Sequence, residues 1–216
     1  MASPEPIPEN RSVLSELLSR RRLVLVAVVL FVEVAIFLAG LLTPMSPSTQ
    51  QSLANSTGGA FGIVQTGTPA QLVAFIFAHN LLIALVEMVP VLGALLFVFS
   101  IYSTGLVAQA LVVSQGQPAQ LGAAILVFPY SLVELSAYAL AVGAGIMLLL
   151  SWRRKRLRRE IRIFVLEGLG VVAILFLAAV METTTIKISP LLGLALWVPT
   201  GIALAGIIVI SERMRV

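Results

Sequence analysis

Glu134 lies inside an apolar run that opens Phe128-Pro129-Tyr130-Ser131 and continues to Leu150. A carboxyl in such a run can accept hydrogen bonds, carry a proton or hold a cation, and each use requires partners. Few residues can supply them. His79, Asn80 and Glu87 lie in an earlier apolar run, where they share a helical face with Ile83. Glu33 sits near the middle of the first apolar run, and the third adds Ser100, Ser103, Thr104 and Gln109. His79 and Glu134 fall at similar depths from the same side, so Glu134 is expected to contact His79 or Asn80. These five residues, Glu134, His79, Asn80, Glu87 and Glu33, form the candidate intramembrane polar site.

No catalytic set accompanies them. The chain has no cysteine and one histidine. It has no His-Glu-x-x-His and no Gly-x-Ser-x-Gly. No catalytic residue, metal site or cofactor is therefore assigned, and the chain is read as a non-enzyme.

Elements that place these residues follow from composition. Of 216 residues, 59% are hydrophobic and 11% charged. A soluble domain is about half apolar and about a quarter charged. Runs near the ~20 residues needed to cross ~30 Å of hydrocarbon predict an all-α, polytopic membrane bundle of about six helices. The first span is Leu23–Leu42. Gln71 to Ser114 would extend about 66 Å as one helix, so it is read as two, with a turn near Pro90 and Gly93. A fourth lies within Ala119–Leu150, a fifth within Ile163–Met181 and a sixth within Leu191–Ile210.

The fourth segment would be about 48 Å long as one helix, which is too long for one crossing. Pro129 supplies a break, because its ring clashes with the preceding turn. From Pro129 onward Glu134, Ala137, Ala141 and Gly145 share one face. The small residues Ala137, Ala141 and Gly145 are expected to let a neighbouring helix approach closely. Glu134 then points at protein rather than at lipid.

Basic residues orient the spans. Six spans place Arg11, Arg20, Arg21 and Arg22, the loop 151-162 and the C-terminal Arg213 and Arg215 on one side; of the 14 basic residues only Lys187 falls opposite. That side is read as cytoplasmic, which places the chain in the cell membrane with both termini inside. Residues 1-22 are read as a cytoplasmic segment, with an amphipathic helix from Ser12 to Arg22 whose arginines meet headgroups. Residues 23-216 form the membrane domain, with an external loop 43-70. In the basic loop, Arg153, Arg154, Lys155, Arg156, Arg158 and Arg159 are assigned to lipid headgroups or to an acidic partner. Without interleaved aromatics they make a poor nucleic-acid signal, and no nucleic acid is expected. Gly67-Thr68-Pro69-Ala70-Gln71-Leu72 and Gly116-Gln117-Pro118-Ala119-Gln120-Leu121 form a faint repeat, each opening a segment that enters from outside.

These residues resemble the stage II sporulation protein M family. Its members carry an Asn-containing element in an early span, a Gly soon after, and later a Pro-His-Gly-x-x-Glu-Leu-x-Ala element followed by small residues ending in Gly. The matching positions here are His79-Asn80, Gly93, Tyr102-Ser103-Thr104-Gly105, Pro129, Glu134, Leu135, Ala137 and Gly145. Tyr130 and Ser131 depart from the pattern. The resemblance covers Gln71 to the C-terminus. The family's founding member works in a membrane complex with cell-wall hydrolases. What the resemblance implies is a non-catalytic multipass subunit that organises or recruits partners at the cell envelope, with membrane lipids and a protein partner or a second copy as its contacts. The alternative is a small transporter or channel using the intramembrane Glu and His residues. Interhelical hydrogen-bonding glue is the plain structural account of the same residues.

Overall fold

The computed structural model describes residues 13–56, 64–155 and 157–213, so Arg11, Arg156 and Arg215 lie outside the described residues. It is helical, with no strand among them, and contains six helices long and apolar enough to cross a membrane. In chain order the elements are α1 (Val13–Leu17), α2 (Arg20–Leu41), α3 (Pro47–Ser56), α4 (Pro69–Glu87), α5 (Leu92–Ser114), a 3-10 segment (Ala119–Val127), α6 (Pro129–Arg153), α7 (Leu157–Lys187), α8 (Pro190–Ala195) and α9 (Trp197–Arg213).

Helix α6 is the axis of the bundle. Half of its span is buried, and it packs on α2, α4, α5, α8 and, most extensively, α7. Small residues make this possible: Ala137, Ala139, Ala141, Gly143, Ala144 and Gly145 are all buried. A Cβ at Gly145 would lie 2.7 Å from the Met88 carbonyl oxygen, so the end of α4 rests directly on the α6 backbone. The other seam joins α2 to α5, where a side chain at Gly40 or Gly105 would overlap the facing backbone. In α2 the buried positions Arg22, Val29, Glu33, Phe37 and Gly40 fall on one stripe at helical spacing.

Starts and stops follow local chemistry. Thr68 caps α4 in a reciprocal box with Gln71, Pro69 occupying the first turn. The turn after α4 passes through Val91 at φ 69°, and the Gly93 amide donates to the Val89 carbonyl at 2.7 Å. Any Cβ at Gly93 would strike the Glu87 backbone. The break at Pro129 is a 3-10 segment whose Ile125 carbonyl oxygen accepts from both the Phe128 amide and the Ser131 hydroxyl. The two Gly-x-Pro-Ala-Gln-Leu stretches thus open different structures, an α-helix at Pro69 and a 3-10 segment at Ala119.

Several expectations need correction. Of the amphipathic helix expected from Ser12 to Arg22, Ser12 lies outside the described residues, and Val13 to Arg22 is not one helix. α1 ends at Leu17, and Arg20 to Arg22 form the first turn of the span α2, with extended Ser19 as its cap. The loop 43-70 contains a helix, α3, that packs on α5. The fifth span runs beyond its apolar run at both ends, from Leu157 to Lys187. The sixth is broken at Leu196, between α8 and α9.

Candidate functional site

The central cavity has a volume of about 190 Å³ and is enclosed by α2, α4, α5, the 3-10 segment and α6. Its polar lining comes from His79, Asn80, Ser100, Thr104, Ser131, Glu134 and Tyr138. They come from three helices. α4 supplies His79 and Asn80, α5 supplies Ser100 and Thr104, and the break at Pro129 brings Ser131, Glu134 and Tyr138 to the wall.

Glu134 is the best partnered of the three carboxyls in the candidate site. Its Oε1 accepts from the Asn80 side-chain amide at 2.9 Å and from the Tyr138 hydroxyl at 3.1 Å. The Asn80 bond ties α4 to α6, and Tyr138 adds one turn of α6 to the same oxygen. His79 lines the same cavity but is exposed and makes no bond to Glu134; its ring stacks on Phe75 with centroids 6.3 Å apart. Asn80 is thus the neighbour that reaches Glu134.

Two further carboxyls stand behind the wall. Glu87 is buried, and its Oε1 accepts from the Ser100 hydroxyl at 2.7 Å while Oε2 has no partner. Glu33 is fully buried with no hydrogen-bond partner on either oxygen. It lies within electrostatic reach of Glu87 and Glu134. Glu182 on α7 lies within reach of Glu134 in turn. Sequence reasoning missed Glu182 because it follows directly on the apolar run that ends at Met181. An ionised carboxylate without a counter-charge is costly in hydrocarbon, so this group needs a proton, a cation or hydrogen-bond donors beside it. Among the described residues no group of three or more His, Cys, Asp and Glu is arranged to hold a metal ion.

Charge at the opposite end of α7 is handled differently. Arg22 is 3% exposed, donating to Glu160 at 2.5 Å and to Glu167 at 2.7 Å. The Ser151 hydroxyl donates to the other Glu160 oxygen at 3.1 Å. Contrary to the expectation from the sequence, Arg22 is therefore not at the headgroups; it bridges α2 to α7. Arg159 is held by Glu16 of α1 at 2.5 Å. Arg153, Arg154, Lys155 and Arg158 are exposed. Ala137, Ala141 and Gly145 lie buried on the Glu134 face of α6.

A family model described as stage II sporulation protein M matches residues 24–185. The chain belongs to the stage II sporulation protein M family. No curated protein and no solved structure matches at a significant level. With six apolar helices, this family member is a multi-pass membrane protein. The match begins in the first span, well before Gln71, so it includes Glu33. It stops at Thr185, before the sixth span, and so does not extend to the C-terminus.

Proposed function

We propose that this stage II sporulation protein M family member is a non-catalytic subunit that organises or recruits a protein partner at the envelope, with both termini cytoplasmic. One observation carries the reading. Of the sixth span only 6% is buried, against 17% to 50% for the other five. α9 packs mainly on α8 among the described residues, and the Trp197 indole donates to the Val127 carbonyl at 2.8 Å. Gly201 and Gly206 have no neighbour within 4 Å of a built Cβ. Most of a span is thus free to pack laterally. Glu134 fits this role as glue, since its donors come from α4 and from its own helix.

Intact-mass measurement of the full chain extracted in mild detergent tests this. Wild type should run as a stoichiometric complex. Gly201→Leu with Gly206→Leu should run as the lone chain with unchanged melting, because neither site has a neighbour to disturb. A wild-type mass of one chain would refute the reading. Reporter fusions at Val216 and in the loop 151-162 should both read cytoplasmic.

A second reading, a small transporter or channel, is favoured by the cavity and by the unpartnered oxygens of Glu33 and Glu87 beside it.

A further inference from the structure

A second cavity opens at the basic end of the bundle, with a volume of about 390 Å³. Its walls are Pro90 and Val91 from the turn between α4 and α5, Leu148, Leu149 and Trp152 from the end of α6, and Leu157 from the start of α7. All six are apolar, and Trp152 is 66% exposed. Between the wall residues Trp152 and Leu157 the chain carries Arg153, Arg154 and Lys155, and Arg158 follows. All four are exposed, and none has a carboxylate partner among the described residues. Arg22 and Arg159, at the same end, are already engaged by glutamates.

The backbone marks the same place. The two non-glycine residues with left-handed φ among the described residues are Val91, at 69°, and Lys155, at 57°. They belong to the two turns that frame the groove. For a β-branched residue this conformation is strained, and such strain persists where the surroundings impose it, often at ligand clamps.

We propose that this groove binds one anionic glycerophospholipid, an acyl chain lying against Leu148, Leu149 and Trp152 and the phosphate against Arg153, Arg154, Lys155 and Arg158. Charge complementarity selects the occupant. Four uncompensated cations beside an apolar slot match an anion with an apolar tail, in the leaflet that this end of the bundle contacts. A tryptophan at headgroup level suits the same boundary. An extended acidic peptide fits poorly, because the apolar wall offers no partners to its backbone polar groups. The inference is independent of the partner assigned to the sixth span.

Native mass spectrometry of the purified full chain, titrated with phosphatidylglycerol or phosphatidylcholine of identical acyl chains, tests it. Wild type should take up one phosphatidylglycerol with a preference of at least about fivefold, the factor one Lys or Arg contributes near a charged headgroup. The variant R153Q/R154Q/K155Q/R158Q should lose the preference, binding both lipids alike with unchanged melting. Leu149→Trp should lose both lipids by filling the slot. Wild type binding the two lipids equally would overturn the proposal, as would a glutamine variant that keeps the preference. Displacement of phosphatidylglycerol by inorganic phosphate alone would also overturn it, since a bare phosphate site needs no groove. If Leu149→Trp does not fold, the lipid ratio of the glutamine variant decides alone.

Discussion

At the basic end of the bundle Glu160 and Glu167 share the Arg22 guanidinium, whereas in the interior Glu134 and Glu87 meet only an amide and hydroxyls and Glu33 meets no donor. The first group is a full ion triad joining α2 to α7, helices that do not otherwise pack together extensively. The second is graded: Glu134 has two donors on one oxygen, Glu87 one donor, and Glu33 none. The contrast separates two uses of one residue type. Paired charge fastens helix ends, where removing one member leaves buried charge uncompensated. Neutral donors around a cavity fasten helix interiors, where each bond contributes modestly.

The largest predicted effect is therefore at Arg22. Arg22→Met strands Glu160 and Glu167 and should cost about 3–5 kcal/mol of stability. Thermal unfolding in mild detergent measures it. Adding Glu160→Gln and Glu167→Gln to that variant should recover most of the loss, because a buried ion pair is often matched by neutral groups of similar size. A single Arg22→Met that melts as wild type would mean the triad is not fastening α2 to α7.

In the interior the effect should be smaller. Glu134→Leu leaves the Asn80 amide and the Tyr138 hydroxyl without their acceptor, at a cost of about 1–3 kcal/mol. Combined with Asn80→Leu, the loss should be less than additive, because the two residues share one bond. Full additivity in this double-mutant cycle would show that the Asn80 bond is not formed in the membrane.

Much of this fold is legible from apolar run length and proline placement. The six spans, the turn at Pro90 and Gly93 and the break at Pro129 all follow from those signals. Charge partners are less legible. Arg22 follows Arg20 and Arg21, so it reads as one more headgroup arginine. Its partners Glu160 and Glu167 lie at or beyond the edge of polar sequence, although their spacing of seven puts them on one helix face. Glu182 is hidden the same way at the other end of α7. Nor does hydropathy distinguish a packed span from a detached one, since lipid and protein interior ask for the same residues. The freedom of the sixth span is visible only in three dimensions.

Glu33 should respond least among the apolar replacements. Having no hydrogen-bond partner, it leaves nothing stranded, and Glu33→Met should leave unfolding unchanged or raise stability by up to about 1 kcal/mol. A loss as large as that of Glu134→Leu would show that Glu33 is held by a group bound in the membrane, and would move the interior towards the transport reading.

The central claim is that Glu134 holds helices together rather than carrying a proton or a cation. Glu134→Gln tests it most directly. The amide keeps the side chain's size and an oxygen for Asn80 and Tyr138, but it cannot titrate near neutral pH. Detergent melting measured beside complementation of a deletion strain gives the answer. The account predicts a variant that melts as wild type and complements fully; a variant that melts as wild type yet fails to complement would contradict it.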